Sequence, residues 1–285
     1  MHDTLLILAG GASSRMKKSA AIEGLSEEEI QAANTRSKAL MGYGKDNRPI
    51  LDFLLRNAEK AGYKNIYLIV GGASQDFKQY YGNSTSRNTF HGLDIWYATQ
   101  HIPEGRNKPF GTADAVFQAL EQYPKLQGQT FTVCNCDNLY SVEVLKALAS
   151  TPASHAFIAY DRDELKFSSE RIARFALVQL DDNNYIGNII EKPSEVQMEE
   201  YKDKDGKLRV SMNIFKFSGR QMYPYLKACP PHPERNEKEL PSAILNFCKD
   251  HPGQFLGIPF HEHVPDLTSK EDIKTFKSYL DSLHS

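Results

Sequence analysis

The apolar positions of this chain come in short unbroken runs rather than in strict alternation. Leu5-Leu6-Ile7-Leu8 is the first, and it ends at Ala9-Gly10-Gly11. A run that short, bounded by glycine, reads as a strand buried on both faces, the pattern of a parallel sheet. Pro49 then opens a helix over 50–61 that Gly62 stops. A second buried strand follows over 65–70, ending at Gly71-Gly72. The pattern repeats with a helix over 75–81, strands over 93–99 and 130–134, and helices over 112–123 and 142–149. Alternating strands and helices call for a parallel sheet with right-handed crossovers.

Beyond residue 150 the pattern changes. A strand over 156–160 is followed by apolar runs over 172–180 and 185–190, flanking the turn residues Asp181-Asp182-Asn183-Asn184 as in a hairpin. Glu191-Lys192-Pro193 ends the second run, and the charged stretch 194–207 reads as a solvated loop. A strand over 208–217, helices over 219–227 and 238–249, a strand over 255–259 and a helix over 269–283 complete the chain. Between the first strand and Lys38 lies a polar insertion, 17–37, a surface segment placed as a flap over the first loop. Ser26-Glu27-Glu28-Glu29 offers it a capping box and hence a short helix through about 34. With no repeat, low-complexity tract or linker, residues 1–285 are expected to form one domain, with halves 1–150 and 151–285 sharing one sheet.

Composition narrows the function. The net charge of −2 over 285 residues gives no basic field of the kind nucleic acid requires. No apolar run approaches the roughly 20 residues that span a bilayer, and the amino terminus carries no basic segment with an apolar signal core. Cys134 and Cys136 lie two apart on one strand face, and Cys229 and Cys248 give no second pair at zinc spacing. Reduced structural thiols in a cytoplasmic protein follow.

In parallel sheets ligands gather at the carboxyl ends of strands, where this chain places Gly10-Gly11, Gln100 and Asp137. The two glycines let backbone N–H groups approach a ligand, and Ser13, Ser14 and Arg15 add donors, a set suited to a polyphosphate. An ordinary structural turn would need neither Arg15 nor the later Lys38. Asp137 and Asp266 are two carboxylates of the kind a magnesium ion takes when phosphates complete its shell; Asp266 alone could equally cap the last helix. Gly111-Thr112-Ala113 opens a helix with small residues, leaving its first N–H groups open to a base edge or anion, or else simply packs closely on the sheet. Glu191 and Lys192 offer a hydroxyl acceptor and a phosphate donor, or a surface ion pair.

Taken together, Leu8-Ala9-Gly10-Gly11-x-x-Ser14-Arg15-Met16, Ser37-Lys38-Ala39-Leu40, Gly111-Thr112-Ala113, Asn135-Cys136-Asp137, Glu191-Lys192-Pro193 and Asp266 resemble, in order and rough spacing, the sugar-1-phosphate nucleotidyltransferases. These include the glucose-1-phosphate thymidylyl- and uridylyltransferases. The resemblance implies a Rossmann-like, mostly parallel mixed sheet flanked by helices, of the nucleotide-diphospho-sugar transferase type, with an inserted sugar-binding portion. It implies Mg2+ as cofactor on Asp137 and Asp266, and condensation of an NTP (UTP or dTTP first, then CTP) with a sugar 1-phosphate. It assigns the triphosphate to Arg15 and Lys38, and the nucleotide to Leu8, Ala9, Gly10, Gly11, Gln100, Gly111 and Thr112. Glu191 becomes the sugar-hydroxyl acceptor and Lys192 the group that holds and aims the sugar phosphate.

The chain departs from that pattern in three places. The 17–37 insertion is longer than usual. Cys136 replaces a small residue before the aspartate, and Ser211-Met212-Asn213-Ile214-Phe215 replaces the usual Asn-x-Gly-Ile-Tyr. Within these 285 residues the carboxy-terminal left-handed β-helix of bifunctional relatives is not expected. Two other readings stay open: a cytidylyltransferase acting on a non-sugar phosphate, and a non-catalytic NDP-sugar-binding regulator. The sequence expects neither a nucleic-acid nor a membrane partner, and a homo-oligomer is compatible with it.

Overall fold

The computed structural model describes residues 1–11, 13–20, 22–44, 46–72, 74–84, 87–173, 175–191 and 193–282. Lys192 therefore lies outside the described residues.

The buried runs form strands whose side chains alternate between two apolar layers. Leu5 and Ile7 enter one cluster while Leu6 enters the other; Ile66, Leu68 and Val70 oppose Tyr67 and Ile69 in the same way. This is why the runs are continuously apolar: each face of the sheet is covered by helices. Leu5, Leu6 and Ile7 are fully buried, and emptying one of these sites to alanine would cost about 2–5 kcal/mol.

Among the described residues, eleven strands make one mixed sheet. Its central part is parallel: Thr4–Leu8 lies between Asn65–Val70 and Thr130–Asn135, and Leu93–Thr99 pairs with the far side of Asn65–Val70. Ile214–Ser218 runs antiparallel to Thr130–Asn135 and joins it to His155–Asp161. Phe255–Phe260 lies parallel to His155–Asp161. Strands from 1–150 and 151–285 thus belong to one sheet, and the mixed, centrally parallel architecture expected from the sequence is borne out.

Three expectations are corrected. The stretch 208–217 is not one strand. It is Arg209–Val210, which pairs with His155–Asp161 and Leu177–Leu180, and then Ile214–Ser218. The break falls at Asn213, which adopts φ 56°, a left-handed conformation that asparagine tolerates better than most residues. The apolar run 172–180 is a strand only from Leu177; before it stands the short helix Ser169–Ile172. The charged stretch 194–207 contains the helix Glu195–Glu200, started by a capping box in which Ser194 and Gln197 exchange hydrogen bonds. The same device starts Glu27–Thr35, where Ser26 and Glu29 exchange bonds of 2.9 and 3.2 Å. That helix packs toward the end of the molecule, Glu29 pairing with Lys277, and borders a hollow of about 760 Å³ against the last helix, Glu271–Ser282.

Candidate functional site

The turn after the first strand is shaped by close approach. Ala9 N–H donates to Ile69 C=O at 2.8 Å, and a Cβ on Gly10 would lie 3.3 Å from Gln100 Oε1 and 3.4 Å from Gly71 N. Glycine at position 10 lets three parallel strand ends meet. Gly11 is exposed with open space beside it. Ser13 follows with φ 53°, and the helix Ser14–Lys18 carries Arg15 to the mouth of a cleft of about 950 Å³.

Lys38 is brought to the same place by the 38–40 turn. Its N–H donates to Ser13 Oγ at 3.4 Å, and its ammonium is ion-paired with Asp137. Asp137 itself is held by the last segment of the chain. Leu267 N–H donates to the Asp137 carbonyl, and Leu139 N–H to that of Pro265, both at 2.9 Å, so Asn138 and Asp266 face each other in a bridge. The two aspartates therefore share one cleft.

Asp266 is not the cap of the last helix. Asp272 takes that part, accepting from Thr268 N–H at 2.8 Å and Ser269 N–H at 2.6 Å. Asp266 instead accepts from the Thr268 hydroxyl and from Arg171 Nη2 at 2.5 Å. Burial, followed by the nearby Asp137 charge, raises the Asp266 pKa above the ordinary carboxylate value despite Arg171 and Lys38. Such a carboxylate gains from any added positive charge. Beside it His263 is pushed down to about 4, by burial first and then by Lys166 and Arg171, which keeps its ring neutral.

The positions expected to meet the base are arranged differently. Gln100 Nε2 donates to Gly111 C=O at 2.9 Å and to Asp114 at 3.1 Å. Gly111 has φ 106°, and a Cβ there would sit 2.3 Å from the Lys238 carbonyl oxygen. Ala113 N–H donates to that same carbonyl at 2.9 Å, and Thr112 Oγ1 accepts from Leu240 N–H at 3.0 Å. The expectation of an open first helical turn is thus corrected at Ala113: residues 238–240 close it. Gln100, Gly111 and Thr112 sit together, apart from the lining of the cleft.

Glu191 is also outside that lining. It is exposed and accepts from Arg235 at 2.6 Å, while Arg235 holds Glu239 at 2.7 and 2.9 Å. Glu191, His232 and Glu239 offer ligand atoms within 4.8 Å of one another, but Arg235 is already ion-paired with both carboxylates.

Two residues that no sequence pattern singled out hold the site together. Lys270 is buried, and its ammonium donates to the carbonyls of Met16 at 2.9 Å and Ser19 at 2.6 Å, tying the Arg15 helix to the Asp266 segment. Arg171 joins the short helix Ser169–Ile172 to both Asp266 and Asp272. Neither partner could be read from local spacing.

A family model described as Nucleotidyl transferase matches residues 5–252. The chain belongs to that family. The match ends short of Asp266, which the tertiary structure alone brings to Asp137 in this family member. Among curated relatives, the glucose-1-phosphate adenylyltransferase of Paraburkholderia phytofirmans is 25% identical over 233 residues, 78% of this chain and 49% of that protein. The one from Teredinibacter turnerae is 25% identical over 291 residues, 98% of this chain and 62% of that protein. The chain thus spans about half to three-fifths of the length of these relatives. A solved UDP-glucose pyrophosphorylase complexed with UDP-glucose shares the fold, with a TM-score of 0.69 at 13% identity, covering 99% of this chain and 100% of that one. Among the described residues no helix is long and apolar enough to cross a membrane.

Proposed function

We propose that this family member condenses an NTP with a sugar 1-phosphate, yielding an NDP-sugar and pyrophosphate. The carrying observation is that one cleft gathers Arg15, Asp137 and Asp266, with Lys38 on Asp137, from four distant parts of the chain. An acceptor phosphate oxygen attacks the α-phosphorus, and the bond from that phosphorus to the oxygen bridging to the β-phosphate breaks. Pyrophosphate departs with that electron pair. The acceptor is already an anion, so no general base is needed, and positioning with charge neutralisation supplies the catalysis. Arg15 faces the charge that develops on the pyrophosphate, and Lys38 assists from beside Asp137.

Asp137 and Asp266 fit a magnesium ion: both are hard oxygen donors on facing segments, and each already draws a cation. Bound there, the ion would neutralise phosphate charge between donor and acceptor. Gly10, Gly11, Leu8 and Ala9 would take the nucleotide, with Gln100, Gly111 and Thr112 toward its base. Glu191 would take the sugar hydroxyls, and Lys192 the acceptor phosphate, only after Glu191 leaves Arg235. That pairing is the observation that keeps a cytidylyltransferase for a non-sugar phosphate as the second reading.

The nucleoside is open between relatives named for adenylyl transfer and a neighbour bound to UDP-glucose. Pyrophosphate release should therefore be measured with ATP, UTP, dTTP and CTP against a panel of sugar 1-phosphates. Release with a sugar 1-phosphate is the expected result. Release only with CTP and a polyol or aminoalcohol phosphate would replace the sugar reading, and release with no pair would favour the regulator.

A further inference from the structure

The proposed chemistry gives Arg171 no task, yet its surroundings are the most tightly specified in the cleft. The Nη2 group donates to Asp266 and the Nη1 group pairs with Asp272. The guanidinium lies over the Phe167 ring, 4.3 Å from its centroid, a stacking that suits its planar, weakly hydrated surface. It remains 21% exposed and lines the cleft together with Asp137, Lys166 and Arg15.

Each of the two candidate metal aspartates therefore carries a resident monocation, Lys38 on Asp137 and Arg171 on Asp266. A divalent ion that binds both carboxylates must compete with these groups, because like charges at contact distance repel in a partly buried site. The two anchors of Arg171 differ. Asp272 is fixed by the Thr268 and Ser269 N–H groups that its Oδ2 accepts, and it holds Arg171 through the other oxygen. Asp266 has no such backbone tether among the described hydrogen bonds. Loss of the Asp266 carboxylate contact thus leaves Arg171 pivoting on Asp272, with Nη2 retaining only a long 3.5 Å contact to the Asp266 carbonyl.

We propose that Arg171 is an exchangeable counter-ion: it neutralises Asp266 in the free protein, yields that carboxylate to a divalent cation, and then presents Nη2 to an anionic oxygen of the bound substrates. The inference rests on the two-aspartate metal reading above. It gives the free protein a cleft in which both aspartates are ion-paired and makes cation binding the event that arms it.

The test uses the full chain without nucleotide. Mn2+ binding is followed by electron paramagnetic resonance for the native protein and for Arg171→Ala, Arg171→Lys and Asp137→Asn. Native protein should bind Mn2+, and Asp137→Asn should lose it. Arg171→Ala should bind at least about 5-fold tighter, the lower end of ordinary coupling between two ligands, whereas Arg171→Lys, which keeps the charge, should stay near the native affinity. As an independent readout on native protein, Mg2+ should speed phenylglyoxal modification of Arg171, located by peptide mass mapping, while the buried Arg209 stays unmodified. Weaker or unchanged Mn2+ binding by Arg171→Ala, or an Arg171 reactivity indifferent to Mg2+, overturns the inference and leaves the metal reading standing. Native Mn2+ binding that is absent, or that survives Asp137→Asn, overturns both.

Discussion

Replacing Gly111 with alanine separates a structural demand from a nucleotide contact. The residue sits at φ 106°, and its new Cβ would fall 2.3 Å from Lys238 O and 2.8 Å from Lys238 C and N. These are backbone atoms, so no side-chain rotation relieves the clash. Left-handed backbone strain costs roughly 1–2 kcal/mol. Moving residues 238–240 away would also loosen the Ala113 N–H to Lys238 C=O and Lys238 N–H to Phe110 C=O bonds, of 2.9 and 2.7 Å, each with a net value of about 0.5–1.5 kcal/mol. The sum is about 2–5 kcal/mol. For a chain of 285 residues that amounts to a fall in Tm of about 3–8 °C. Denaturant unfolding and calorimetry on Gly111→Ala measure it directly. A stability change under about 0.5 kcal/mol combined with a raised NTP KM would refute this reasoning and make Gly111 a nucleotide contact first.

Three other substitutions bear on the site and the fold. Asp137→Asn should lower turnover by roughly 100-fold or more, beyond what residues merely supporting a metal ligand cost, with unchanged circular dichroism; near-native activity would dismiss Asp137 as a ligand. Glu191→Ala removes one side of an exposed pair whose Arg235 keeps Glu239, so stability should change by well under about 1 kcal/mol, while the acceptor KM should rise at unchanged NTP KM. Silent kinetics would instead mean that Glu191 stays with Arg235 and would favour the non-sugar reading. His155 is buried, and its pKa is lowered to about 4, chiefly by burial. The unfolded chain then binds the proton more readily, so stability is full above the ordinary histidine pKa and falls as pH drops from 6.5 toward 4. His155→Phe should flatten that slope in pH-dependent unfolding, and an unaltered slope would assign it to other groups such as His2.

The features legible from residue order are the local ones. Buried strands were readable because a strand covered on both faces must be apolar at every position, as at Leu5, Leu6 and Ile7. The helix of the 17–37 insertion was readable because a capping box is closed by residues three apart, and Gly10 because it stands where a strand must turn. The Ser194–Gln197 box uses the same chemistry, but its charged neighbours hid it. What depended on the folded chain were the meetings of distant segments. Asp266 read as a helix cap or a ligand until the chain crossing placed Asp272 in the cap and Asp266 opposite Asn138. Gly111 drew its requirement from the backbone of Lys238, far along the chain, and Arg171 and Lys270 found partners that no local spacing announces. The split of 208–217 into two strands followed from which neighbours each piece pairs with. Hydrogen bonds and periodicity within a few residues are encoded by those residues. Which carboxylate meets which cation is decided by how two apolar faces stack the sheet and bring its ends together.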